Sequence, residues 1–133
     1  MIVLDTHMLV WLTEGVPSMG PEARRKADDA LAADALTVSA ISFWEVAMLH
    51  DKGRLELSQP VETWRQKVLE MGLTEVPVAG DVAIAAATLP GFHGDPADRI
   101  ITATASLHGA ELMTADGRIL GWSGDLRRHD GRR

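Results

Sequence analysis

The sequence has 133 residues, 46% hydrophobic and 24% charged, which describes one ordinary globular domain rather than a disordered or fibrous chain. Nineteen Asp and Glu stand against 13 Lys and Arg, and the formal net charge of −6 excludes a basic clamp that grips phosphates by charge alone. With no cysteine, disulfides and thiolate metal sites are excluded, and a cytoplasmic location is expected.

Ile2-Val3-Leu4 is a short β-branched-rich run that predicts a buried first strand, and Asp5 interrupts it before a secretory core could form. Met8, Leu9 and Leu12 predict a helix directly after it. Gly15 to Gly20 is a turn, and Gly20-Pro21 opens a second helix with Ala23, Ala27, Ala30 and Leu31 on its apolar side. Leu36-Thr37-Val38 predicts a second strand, followed by a helix from Ser39 to His50 that ends near Gly53. Pro60 to Met71 is amphipathic through Val61, Trp64, Val68 and Met71.

Glu75 to Val78 predicts a third strand, which Pro77 confines to a sheet edge. Val82 to Leu89 is apolar on nearly every side and predicts a well-buried short helix; it is far too short to span a bilayer, which takes roughly 20 residues, and no membrane partner is expected. Asp95-Pro96 opens a long helix that stops at Gly109, and Glu111 to Thr114 predicts a fourth strand. From about 121 to 133 the pattern gives way to arginines, which predicts an exposed, flexible basic tail. Strands alternating with helices, without repeat or linker, predict a single α/β domain over residues 1–133 with a mostly parallel sheet of four or five strands.

In a parallel sheet all strands end on one edge, where ligands bind. Asp5 follows the first strand, Glu45 lies early in the helix after the second, Asp95 and Asp98 start the last long helix, and Asp116 lies just past the fourth strand. Taken singly, each has a structural reading. Ser42 to Glu45 fits a capping box, Asp95 before proline a helix cap, Asp98 a helix-dipole partner or a mate for Arg99 or a neighbouring base, and Asp116-Gly117 a turn; Asp5 fits a cap of the first helix. Taken together, carboxylates gathered at one edge repel unless a cation sits among them. Oxygen donors without cysteine or paired histidines select Mg²⁺ or Mn²⁺ over Zn²⁺, and such an ion polarises a phosphoryl oxygen for in-line attack by water.

Leu4-Asp5-Thr6-His7, Ser39 to Glu45, Asp95 to Ile101 with Thr102-Ala103-Thr104-Ala105, and Leu112 to Asp116 occur in order. These four elements resemble the PIN-domain ribonucleases, above all the VapC-type toxins of bacterial toxin–antitoxin pairs, from Met1 to about Ile119. The resemblance implies an α/β/α sandwich and a Mg²⁺- or Mn²⁺-dependent endoribonuclease acting on structured RNA such as tRNA. It implies that Asp5, Glu45, Asp98 and Asp116 form the catalytic pocket. Asp5 and Asp98 would be direct metal ligands, Glu45 and Asp116 would reach the ion directly or through water, and Thr6 and Thr114 would supply hydroxyls that steady the carboxylates. Asp95 reads as a helix cap rather than a fifth ligand. A homodimer, a small antitoxin that blocks the pocket, and contact with DNA only through that antitoxin are also implied. The arginine-rich end departs from the family's usual apolar last strand, so a fifth strand there stays open beside a tail that contacts RNA phosphates.

His7 reads as a surface histidine, and His50, His93, His108 and His129 share no ligand spacing. Trp11, Trp44 and Trp64 fall at helical apolar positions that predict core or dimer-interface roles. Two alternatives remain. An α/β phosphotransfer protein or phosphatase would use Asp5 as acceptor, but no lysine follows Lys67 and His7 stands where a second acid would. A catalytically inactive PIN-like binding module would keep the fold without the chemistry.

Overall fold

A computed structural model describes residues 1–133. In chain order the elements are β1 (Ile2–Leu4), α1 (Thr6–Glu14), α2 (Pro21–Ala32), β2 (Leu36–Ser39), α3 (Ala40–Asp51), α4 (Val61–Glu70), β3 (Thr74–Val76), α5 (Gly80–Ala87), α6 (Pro96–Leu107), β4 (Glu111–Thr114), α7 (Gly117–Leu120) and β5 (Arg128–Asp130). The five strands form one sheet in the order β3-β2-β1-β4-β5, and every neighbouring pair is parallel.

A strand covered on both faces must be apolar on both, which is why Ile2-Val3-Leu4 can be the central strand. Alternate side chains point to opposite faces. Leu4 and Met113 therefore join the larger core with Met8, Leu9 and Trp64, while Val3 and Leu112 join the smaller one with Ile101 and Ile119. This is an α/β/α sandwich. From β1 the chain moves outward through β2 to β3, then returns to the other side of β1 for β4 and β5. The reversal opens a crevice at the carboxyl ends of β1 and β4.

The predicted elements are present, with four corrections. β3 is an edge strand but ends at Val76, because Pro77 has no N–H to continue the ladder. In α5 only Val82 and Ala86 are buried and Ile84 is 70% exposed. An eight-residue helix packed along one side covers one face however apolar the others are. The tryptophans need no correction: Trp64 takes the core role, donating from Nε1 to Thr13 Oγ1 at 3.0 Å, and Trp44 is exposed, which leaves it the dimer-interface one. The short helix α7 carries no apolar period that the sequence could reveal.

The fourth correction concerns the arginine-rich end, which holds strand β5 paired to β4 in the register Leu112↔Arg128. Arg128 is not a phosphate hand. Its guanidinium donates to the carbonyls of Leu126 and Ile119, both at 3.0 Å, and to those of Trp122 and Gly124. The last residues dock on the start of α2, where Gly20 N–H donates to Gly131 O at 2.9 Å and Glu22 N–H to Arg133 O at 3.0 Å. A Cβ on Gly20 would lie 2.1 Å from the Arg133 carbonyl carbon. Gly20→Ala should therefore cost about 1–3 kcal/mol in urea unfolding, as overpacking against main chain does; an unchanged midpoint would show that the end is not docked there. No helix is long and apolar enough to cross a membrane.

Candidate functional site

The crevice edge collects the acids in the way the topology requires. Asp5, one residue past β1, caps α1 by accepting from Thr6 N–H at 2.6 Å. Its other oxygen accepts from the Thr114 hydroxyl at 2.6 Å, reaching across from the end of β4. Glu45 lies on α3, six residues beyond the end of β2. Asp95 caps α6 through a 3.1 Å bond from Asp98 N–H, and so fixes the turn that presents Asp98. Asp116 caps α7. Asp5, Glu45, Asp95, Asp98 and Asp116 line a single cavity of about 280 Å³, with His7, Trp11, Arg118 and Arg132 at its walls. A larger cavity of about 500 Å³ lies elsewhere, between α1 and α4, and gathers no comparable set of carboxylates.

The capping box expected at Ser42 and Glu45 is absent. Ser39 is the cap, its Oγ accepting from Ile41 N–H at 3.2 Å. Ser42 turns inward and accepts from the Thr6 hydroxyl at 2.9 Å, which leaves Glu45 free to face the cavity. Thr6 thus steadies Asp5 through its main chain, not its hydroxyl. Arg99 does not pair with Asp98 either. Its guanidinium donates to the carbonyls of Ala86, Phe92 and His93 and clamps the loop before α6.

That clamp positions a residue the sequence did not single out. His93 donates from Nε2 to Asp98 Oδ2 at 2.7 Å, its ring stacked on Phe92 at 4.3 Å. Arg118 is the second such residue, 3.1 Å from Asp116 Oδ2 and 3.5 Å from Asp98 Oδ2. His93 lies in the irregular loop before α6, five positions ahead of Asp98, so no periodicity flags it. Arg118 had one usable signal, its place two residues after an Asp-Gly cap.

Donor atoms of His93, Asp98 and Asp116 lie within 4.8 Å of one another, as do those of Glu45, Asp95 and Asp98. Asp98 belongs to both groups. Asp5 and Asp98 are 4% and 7% exposed. Burial pushes the carboxyls of Asp5, Glu45 and Asp98 above their ordinary values, and repulsion from neighbouring carboxylates, Asp95 and Asp116 included, adds to it. Hydrogen bonds from Thr114 and His93 oppose the rise at Asp5 and Asp98, and the neighbouring Thr6 hydroxyl opposes it at Glu45. Burial would raise Asp116 as well, but the bonds from Arg118 win and hold it low.

A carboxyl raised in the folded state favours folding below its unfolded value, and that contribution is lost as pH rises through the folded value. Asp116, being lowered, acts in the opposite direction and only at more acidic pH. The metal-free protein should therefore lose melting temperature as pH rises from the ordinary carboxylate range toward neutrality, with millimolar Mg²⁺ reducing the loss. A melting temperature that does not fall over that rise would contradict the upward shifts.

Residues 2–121 match the family model of the PIN domain. The chain is 39% identical to Ribonuclease VapC22 of Mycobacterium tuberculosis over 119 residues, 89% of this chain and 88% of that one. The DNA-bound VapBC structure from Salmonella typhimurium aligns with a TM-score of 0.70 at 18% identity, covering 97% of this chain and 96% of that one. FitAcB from Neisseria gonorrhoeae aligns with a TM-score of 0.65 at 25% identity, covering 98% of both chains.

Proposed function

The chain belongs to the PIN-domain family, among its VapC-like members, and on that premise we propose that it is a divalent-metal-dependent endoribonuclease, the toxin of a toxin–antitoxin pair. The observation that carries this reading is the convergence of Asp5, Glu45, Asp98 and Asp116 on one cavity at the carboxyl edge of the sheet. Phosphate cannot approach such a surface unaided; a bound divalent cation offers it a local positive charge.

The residues fit a hard ion, Mg²⁺ or Mn²⁺. The donors are carboxylate oxygens with one imidazole, and the buried carboxyls carry an unrelieved charge penalty. Asp98, common to both donor groups, and Asp5 would hold the ion. Each Asp5 oxygen accepts one hydrogen bond and keeps a free lone pair. Glu45 and Asp116 would reach the ion directly or through water. When bound, the ion supplies Lewis-acid polarisation of the scissile phosphate.

The chain's own residues do the rest. Thr114 fixes Asp5, His93 and Asp95 fix Asp98, and Glu45 and Asp116 orient the attacking water. Glu45, pushed up by burial, suits the role of proton acceptor better than Asp116, which Arg118 holds low. The water oxygen bonds to phosphorus as the bond to the leaving sugar oxygen breaks, and the RNA is cut internally.

Structured RNA such as tRNA is the proposed substrate class. An antitoxin partner is supported by the fold neighbours, which include toxin–antitoxin complexes. Pairing of two copies has exposed Trp44 and Ile84 as available surface, and sedimentation equilibrium would read it as twice 14.4 kDa. Partner-free protein incubated with a panel of structured RNAs should give internal fragments without 2′,3′-cyclic phosphate ends, because water and not the 2′-hydroxyl attacks. Cyclic ends would overturn the reading. Release of inorganic phosphate alone would favour the phosphatase.

A further inference from the structure

We propose that Arg118 is the acidic cavity's own counter-cation, seated on the Asp98 and Asp116 carboxylates that a divalent ion would use, and so sets the ion concentration at which the site loads. This rests on the reading of the cavity as a metal site.

Two arginines line the cavity. Arg132 donates to the Ala115 carbonyl. Arg118 is the one of the two whose side chain is spent wholly on carboxylates. Nη2 lies 3.1 Å from Asp116 Oδ2 and 3.5 Å from Asp98 Oδ2, and Nε lies 3.4 Å from Asp116 Oδ1. Its side chain is 61% exposed and no other group anchors it.

Asp98 and Asp116, with His93, are also one of the two sets whose donor atoms lie within 4.8 Å. One cation can be exchanged there for another. Exposed ion pairs are individually weak, so the guanidinium can be displaced, but the displacement is charged against the ion's affinity. The local fold survives the exchange, because Asp116 caps α7 through the main-chain N–H of residue 118, not the side chain.

Calorimetric titration of the full chain with Mn²⁺ tests this, comparing wild type with Arg118→Ala, Arg118→Gln and Arg132→Ala. Both Arg118 variants should bind Mn²⁺ about three- to tenfold more tightly than wild type. Arg132→Ala removes the same charge from the same cavity wall without touching a carboxylate, and should shift the affinity less than about twofold. Unchanged or weaker binding in the Arg118 variants would overturn the inference, as would an equal gain from Arg132→Ala. Mn²⁺ binding absent from all four proteins is a separate result, which would overturn the metal reading and this inference with it.

Discussion

Asp98→Asn is expected to reduce RNA cleavage on the order of a hundred- to a thousandfold and to leave the fold intact. Asp98 is the one carboxylate shared by both groups of clustered donors, and it is almost wholly buried. Asparagine keeps its shape and can still accept from His93, but it removes the charge that an ion needs. The same change relieves a folding penalty, since burial and the charges of Asp5, Asp95 and Asp116 all push this carboxyl up. The variant should therefore melt no lower than wild type in the absence of metal. Lost activity with a lowered melting temperature would mean that Asp98 is structural, and retained activity would remove it from the site. Asp5→Asn should give a loss of similar size, because no other residue offers a carboxylate at the end of β1.

Thr114→Val is the sharper test of how the site is held. Its hydroxyl is fully buried, donates to Asp5 Oδ2 and accepts from Asp116 N–H at 3.1 Å, so one side chain ties two of the acids together. Valine fills the same volume without either bond. Loss of an orienting partner of this kind costs about 10–100-fold in metal affinity or activity. The abandoned Asp116 N–H adds about 1–3 kcal/mol of instability. Thr114→Ser keeps the hydroxyl and should recover most of both, measured by Mn²⁺ affinity and urea unfolding side by side. Wild-type affinity in the valine variant would mean that Asp5 needs no such support.

Much of this arrangement was legible in the sequence because it follows from chain topology. A buried Ile-Val-Leu run must be a central strand, and an acid directly after it must lie at the carboxyl edge. The resemblance extended from Met1 to about Ile119, and the family match covers residues 2–121. The misses share one cause, since they depend on contacts between distant segments. Whether Ser39 or Ser42 caps α3 is decided by Thr6, which claims Ser42 from another element. His93 acquires a role only because Arg99 folds its loop back against α6. β5, an Arg-His-Asp strand, has no apolar alternation and is held by main-chain pairing and the bonds of Arg128. The burial of α5 was overestimated because hydrophobicity reports what a face can bury and not what packs against it.

In the proposed mechanism the gathered acids act on RNA only through a bound divalent ion. The most direct measurement is single-turnover cleavage of one defined structured RNA by partner-free protein, first with excess EDTA and then with millimolar Mg²⁺ restored. Cleavage that vanishes in EDTA and returns in full with Mg²⁺ is the expected result. Cleavage that continues unchanged in EDTA would rule out a divalent ion as the agent of this site.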